Sequence, residues 1–181
     1  MQSVPGPHIS TGDPAARPPW PITNRPQVGN LPHMDKTRIL FVCIGNSCRS
    51  QMAEAFARSY GDDILVAASA GLSPAFSVAP DTQRAMNERN LDLRDHFPKT
   101  IKHLGRAKFD IAVNLSGIPL PDDLAPRILE WDVPDPIGVS YKEHCEIRDL
   151  IERLVMELVM ELRRKIPPDV YLRGYGSRFS E

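Results

Sequence analysis

The sequence predicts an α/β fold: a three-layer sandwich with a central four-stranded parallel sheet and flanking helices. Three observations carry that reading. Short apolar runs of strand length alternate with segments of helical period, an order that implies parallel pairing through right-handed crossovers. The run Phe109–Leu115 is almost wholly apolar, as expected of a strand covered on both faces. Residues with chemical potential follow the first and fourth runs, at the sheet edge where such folds hold their ligands.

The first strand is Arg38-Ile39-Leu40-Phe41-Val42. A loop leads to a helix beginning near Ser50, in which Met52, Ala55, Phe56 and Tyr60 recur at three- and four-residue steps. Gly61 is its expected stop, by analogy with glycine C-caps. Ile64–Ala68 reads as a buried strand that ends in Ser69-Ala70-Gly71. Pro80-Asp81-Thr82 opens a second helix reaching about Asn90, proline being suited to a first turn. Pro98–Leu104 reads as a short helix or turn. Phe109–Leu115 is the third strand, Ile128–Trp131 the fourth, and a last helix spans Lys142–Arg164. Inside that helix Val-Met-Glu-Leu occurs twice in succession, at 155–158 and 159–162. A four-residue repeat nearly matches one helical turn, so its apolar positions form a broad face. That face packs on the core with the glutamates solvated or, alternatively, serves self-association.

The domain boundaries follow from composition. Residues 1–35 hold Pro5, Pro7, Pro14, Pro18, Pro19, Pro21, Pro26 and Pro32, which cannot sustain a helix or central strand. They are expected to form a disordered extension, residues 36–165 a single catalytic domain, and 166–181 a flexible tail. No basic start followed by an apolar stretch is present, and no segment approaches transmembrane length. A formal net charge of −1 gives no electrostatic case for nucleic acid or an anionic membrane. Three cysteines, an odd count, fit a reducing cytoplasm better than a secreted disulfide framework. No histidine lies at ligand spacing beside Cys43 and Cys48, so neither metal nor cofactor is expected. The expected oligomeric state is a monomer or weak homodimer.

The chemistry concentrates in Cys43-Ile44-Gly45-Asn46-Ser47-Cys48-Arg49-Ser50, between the first strand and first helix. Backbone amides from Ile44 to Arg49 can line a cradle for a tetrahedral oxyanion, with the helix N-terminus adding positive potential. The Arg49 guanidinium suits two oxygens of that anion. Cys43 stands where the same field favours a nucleophilic sulfur, and Ser50 is placed to hydrogen-bond it. Gly45 and Asn46 are expected to adopt left-handed backbone angles. Cys48 shares the loop with Cys43, so mild oxidation is expected to join the two; the alternative is a small loop-filling side chain. Cys145 reads as structural or exposed.

This string resembles the phosphate loop of the low-molecular-weight protein tyrosine phosphatases and their relatives, the thiol-dependent arsenate reductases. The continuation Ser50-Gln51-Met52-Ala53-Glu54-Ala55-Phe56 is closer to the reductase branch, where glutamine often replaces proline. The resemblance covers about Arg38 to Arg164 and implies the parallel four-stranded sheet. It also implies that Asn46 is tied down by Ser69 and His96. In Glu130-Trp131-Asp132-Val133-Pro134-Asp135-Pro136 it puts the general acid on the Asp-Pro step, hence Asp135, with Asp132 the runner-up.

Two departures bear on the activity. Aromatic residues usually follow the Asp-Pro step of tyrosine phosphatases; here Ile137-Gly138 follows, leaving Phe76 as another wall or a core residue. Reductases carry further thiols after the third strand, where this chain reads Asn114-Leu115-Ser116-Gly117-Ile118-Pro119. The expectation is phosphomonoester hydrolysis through a cysteinyl-phosphate. The alternatives are arsenate reduction with an external thiol reductant and, from another class, a non-catalytic oxyanion-binding or redox-sensing module.

Overall fold

The first strand, β1 (Thr37–Cys43), is buried on both faces from Ile39 onward, which fixes it inside the sheet. Ile39, Phe41 and Cys43 face one apolar cluster, and Leu40 and Val42 face another, the two-residue period of a strand. The computed structural model describes residues 36–166. The other elements are α1 (Arg49–Gly61), β2 (Leu65–Gly71), α2 (Pro80–Asn87), a 3₁₀ turn at Ile101–Leu104, β3 (Ile111–Asn114), β4 (Arg127–Glu130) and α3 (Tyr141–Arg164). All strand pairs are parallel, in the order β2-β1-β3-β4. The order reverses at β1, so the loop after Cys43 opens at the switch point.

Helices α1, α2 and α3 supply the larger cluster, with Met52, Phe56, Met86, Ile151, Val155 and Val159 among its members. The opposite face is thinner. Phe109, Leu120 and Ala125, with Ile101 and Leu104 of the 3₁₀ turn, cover it in place of a long helix. The sheet is therefore flanked on both sides, as the sequence predicts, though by unequal layers.

Several boundaries move, each for a local reason. β2 runs three residues past Ala68, because Ser69, Ala70 and Gly71 stay paired with Phe41, Val42 and Cys43. α2 stops at Asn87 rather than about Asn90; Asn90 takes φ +58°, a left-handed conformation that closes the turn. α3 begins at Tyr141 because Ser140 and Glu143 cap each other's backbone reciprocally, a pattern visible in the sequence as Ser-x-x-Glu. Gly61 does not end α1 as a left-handed cap. It is the last helical residue, and an added Cβ would meet Leu65 Cδ2 at 2.7 Å and Val159 Cγ2 at 3.3 Å. Its role is close approach. In the doubled Val-Met-Glu-Leu segment, Val155, Leu158, Val159 and Leu162 are buried while Met156 and Met160 are about half exposed. The repeat thus splits into a core face and an outer pair of methionines.

Residues 1–35, and the tail except Ile166, lie outside the described residues. Among the described residues no helix is long and apolar enough to cross a membrane.

Gly71 gives the sharper test of how tightly the sheet edge meets the loop. A Cβ there would lie 2.7 Å from the Ile44 carbonyl oxygen and 3.0 Å from the Asn46 nitrogen, both backbone atoms. At Gly61 the nearest atom is the end of a leucine, which can turn aside. Gly71→Ala is expected to cost about 3 kcal/mol and Gly61→Ala about 1 kcal/mol, the two ends of the usual overpacking range. Urea midpoints of the two variants check the order.

Candidate active site

Cys43 ends β1, and the chain turns at once into a loop whose carbonyls are all engaged. The oxygens of Cys43, Ile44, Gly45 and Ser47 accept from the amides of Leu72, Ser73, Ala75 and Ala79, at 2.8–3.1 Å. The Asn46 oxygen accepts from Gln51 Nε2 at 3.0 Å, and the Cys48 oxygen from Met52 N at 3.0 Å. In a planar trans peptide the C=O of one residue opposes the N–H of the next. With the carbonyls of 43–48 directed away from the loop centre, the amides of Ile44–Arg49 turn toward it. α1 starts at Arg49 without a side-chain cap, so its first amides are not taken up by a capping oxygen.

Of the two residues expected in left-handed conformation, only Asn46 adopts it, at φ +46°. Gly45 does not, and a Cβ there would come within 3.2 Å of Ser47 Oγ. Asn46 is held by its whole side chain. Nδ2 donates to Ser50 Oγ and to Ser69 Oγ, both at 2.9 Å, and Oδ1 accepts the Lys99 amide at 2.8 Å. Ser69 Oγ in turn donates to Glu54 Oε2. This order has a direction. Ser50 Oγ receives from Asn46, so its own hydrogen is free for Cys43 Sγ, 2.9 Å away. The sulfur is buried with that donor beside it.

Glu54 was not anticipated from the sequence. It is a buried carboxylate one helical turn after Ser50, ion-paired with Arg58 and with Lys99 at 3.7 Å. An acidic residue at i+4 from a site serine, on an otherwise apolar face, was the available signal. His96 departs from its expected place. It does not touch Asn46; Nδ1 lies 2.8 Å from Gln51 Oε1, and Gln51 donates to the Asn46 and Phe97 carbonyls. The Lys99 amide has the position at Asn46 Oδ1 instead. His96 supports the loop at one remove, through Gln51.

Asp135 and Arg49 meet across the crevice. Arg49 Nη2 is hydrogen-bonded to Asp135 Oδ2, and Arg49 Nη1 donates to the Val133 carbonyl at 3.2 Å. Asp135 Oδ1 accepts the Ile137 amide at 3.2 Å. Its carboxylate is 45% exposed while the Arg49 side chain is 8% exposed, so the acid sits at the mouth and the cation within. Asp132 is exposed on the same segment and is not brought to Arg49. Phe76 is fully exposed, which removes the core-contact reading. It belongs to the stretch 72–79, whose amides donate to the loop carbonyls.

The three thiols have different settings. Cys48 is buried; desolvation holds its thiol above the ordinary range, with Thr82 and Ser47 opposing through hydrogen bonds. Cys145 lies 3.9 Å from Glu88 at the C-terminal end of α2, whereas the cradle abuts the N-terminal end. An eight-residue helix is about 12 Å long, so Cys145 stands away from the loop. Ser116, in the stretch where relay thiols were sought, is held by Asn114 Oδ1 at 2.6 Å.

A family model described as low molecular weight phosphotyrosine protein phosphatase matches residues 38–119. The arsenate reductase of Bacillus cereus (strain AH187) is 35% identical over 123 residues, covering 65% of this chain and 90% of that protein. The glutaredoxin arsenate reductase of Synechocystis sp. is 30% identical over 129 residues, covering 69% of this chain and 98% of that protein. Among solved structures, an arsenate reductase from Archaeoglobus fulgidus is similar at TM-score 0.60 and 31% identity, over 67% of this chain and 98% of that one.

The two partly or wholly buried histidines set an acid limit to stability. Burial is the leading cause that lowers the pKa of both His96 and His144; Arg148 adds to it at His144, where Asp81 and Pro136 oppose. The unfolded chain then takes up protons near pH ~6.5 that the folded chain refuses. Their stability contribution is complete above that pH and is lost as pH falls through the unfolded value toward the lower folded ones. Urea midpoints should drop between pH 7.5 and 5, with a flatter profile in His144→Asn.

Proposed function

Because this chain belongs to the low-molecular-weight protein tyrosine phosphatase family, arsenate reductases included, we propose that it hydrolyses phosphomonoesters through a cysteinyl-phosphate on Cys43. One observation carries the reading: a sulfur, an inward-turned run of amides, a buried guanidinium and an overhanging carboxyl converge on one crevice. Cys43 Sγ attacks phosphorus in line. The amides of Ile44, Gly45, Asn46, Ser47, Cys48 and Arg49, with the Arg49 guanidinium, take the charge on the equatorial oxygens. Asp135 protonates the leaving oxygen and then activates water for hydrolysis of the intermediate. Ser50 steadies the sulfur as it leaves. Ser69 and His96 act indirectly, through Asn46 and Gln51. Phe76, exposed on the stretch 72–79 that is bonded to the loop, is the residue we assign as an aromatic wall for aryl phosphates, phosphotyrosine among them, where stacking would add to the anion contacts.

A specific observation favours a second reading. The relatives described above, at 35% and 30% identity, are named arsenate reductases, one of them a glutaredoxin arsenate reductase. Arsenate has the shape and charge of phosphate and fits the same cradle. No cysteine occurs from Asn114 to Pro119, so the two electrons that take As(V) to As(III) would come from an external thiol, which leaves as disulfide. The non-catalytic binding module is disfavoured, since binding alone needs neither nucleophile nor acid.

Purified protein assayed with an aryl phosphate, and separately with arsenate plus glutathione or a glutaredoxin system, distinguishes these. Phosphatase turnover is expected, abolished in Cys43→Ser and reduced about 10²- to 10⁴-fold in Asp135→Asn. Turnover with arsenate alone moves the assignment to the second reading, and turnover with neither removes both.

We also propose that peroxide oxidises Cys43 to the sulfenic acid, which condenses with the Cys48 thiol to a disulfide and releases water. Peptide mass spectrometry should find the 43–48 link. Sulfinic acid at Cys43 without the link would reject the pairing.

A further inference from the structure

Gln51 is fully buried and makes every hydrogen bond its carboxamide needs. It is the third residue of α1, whose side chains lean toward the helix N-terminus, so it reaches back to the loop. Nε2 donates to two carbonyls, those of Asn46 and Phe97, both at 3.0 Å. Oε1 lies 2.8 Å from His96 Nδ1, and an amide oxygen can only accept, so the ring nitrogen carries the hydrogen. Turned over, the carboxamide would set its oxygen against two carbonyls. The His96 donor holds it the right way round.

The Asn46 carbonyl is unlike the others of the loop. Those of Cys43, Ile44, Gly45, Ser47 and Cys48 bond to backbone amides, which any sequence supplies except at proline. The donor to Asn46 is a side chain. Asn46 also has φ +46°, a conformation costly for a residue with a Cβ, so the peptide that follows it needs an anchor. That peptide carries the Ser47 amide, which in a trans peptide opposes the Asn46 oxygen. Holding the oxygen outward aims the Ser47 N–H inward.

The side chain of Asn46 is anchored separately. It is bonded to Ser50, Ser69 and the Lys99 amide, and Gln51 touches none of those atoms of Asn46. We propose that Gln51 is a positioning residue for oxyanion binding: it holds the 46–47 peptide so that the Ser47 amide faces the bound anion, and His96 fixes the carboxamide in the orientation that does so. This rests on the loop being an oxyanion cradle, as the proposed function requires, and not on which oxyanion is turned over.

The readout is alkylation of Cys43 by iodoacetamide, followed by peptide mass spectrometry, with inorganic phosphate as the protecting probe. Phosphate needs the Ser47 amide, whereas the sulfur depends on Ser50, which the Asn46 side chain orders. Gln51→Met keeps the length and loses both donors. The phosphate concentration for half-protection should rise about ten- to a hundredfold, as for loss of one hydrogen bond to a charged group. The pH midpoint of alkylation without phosphate should stay at its wild-type value. His96→Leu should weaken protection in the same direction and less, and His96→Asn, which keeps an N–H toward Oε1, should restore it.

Wild-type half-protection in a folded Gln51→Met protein overturns the proposal. So does a midpoint that shifts, the mark of a merely structural role in the loop. If Gln51→Met does not fold, unchanged protection in His96→Leu overturns it. Failure of His96→Asn to restore protection overturns the part assigned to His96. Wild-type protein that phosphate does not protect at all removes instead the oxyanion site beneath the proposal.

Discussion

The site depends on where six carbonyl oxygens go. From Cys43 to Cys48 each finds a donor outside the loop, four of them in the stretch 72–79. A backbone cannot face both ways at one peptide, so satisfying the oxygens outward commits the amides inward. This explains why Gly71 tolerates no side chain: the return strand must approach the Ile44 and Asn46 backbone at contact distance. It also explains why Asn46 bears a positive φ, the one bend that lets the loop close without a second glycine. Packing of β2 against β1 and the binding geometry are one constraint.

Polar order around Cys43 follows from a charge that never touches it. Glu54 can only accept, so Ser69 donates to it, Asn46 donates to both serines, and Ser50 is left to donate to sulfur. A buried carboxylate is costly unless paired, and Arg58 and Lys99 answer that cost. Direction in a hydrogen-bond chain is information, and here three side chains, Ser69, Asn46 and Ser50, carry it from Glu54 to Cys43.

The fold and the centre of the site were legible from sequence because both are local signals. Strand period, a Cys-x5-Arg loop and an Asp-Pro step each occupy a few consecutive residues. What the sequence concealed was long-range. Glu54 meets Ser69 across 15 residues and Thr82 meets His144 across 62, and no periodicity encodes such pairings. His96 shows the same limit from the other side: its neighbourhood was right and its partner wrong, because Gln51 intervenes. Gly61 was read as a conformational stop when its reason is a neighbour from α3, visible only once the helices pack.

The pairing of Arg49 with Asp135 sets a threshold on the charge of whatever enters. A visitor must separate a guanidinium from a carboxylate before it can claim the former, and chloride brings no oxygens with which to replace that pairing. A tetrahedral dianion brings two oxygens for the fork and further oxygens for the amides, and it frees the carboxyl in the act of binding. In the proposed reaction admission and activation are then the same event: the carboxyl of Asp135 is released by the guest that takes Arg49.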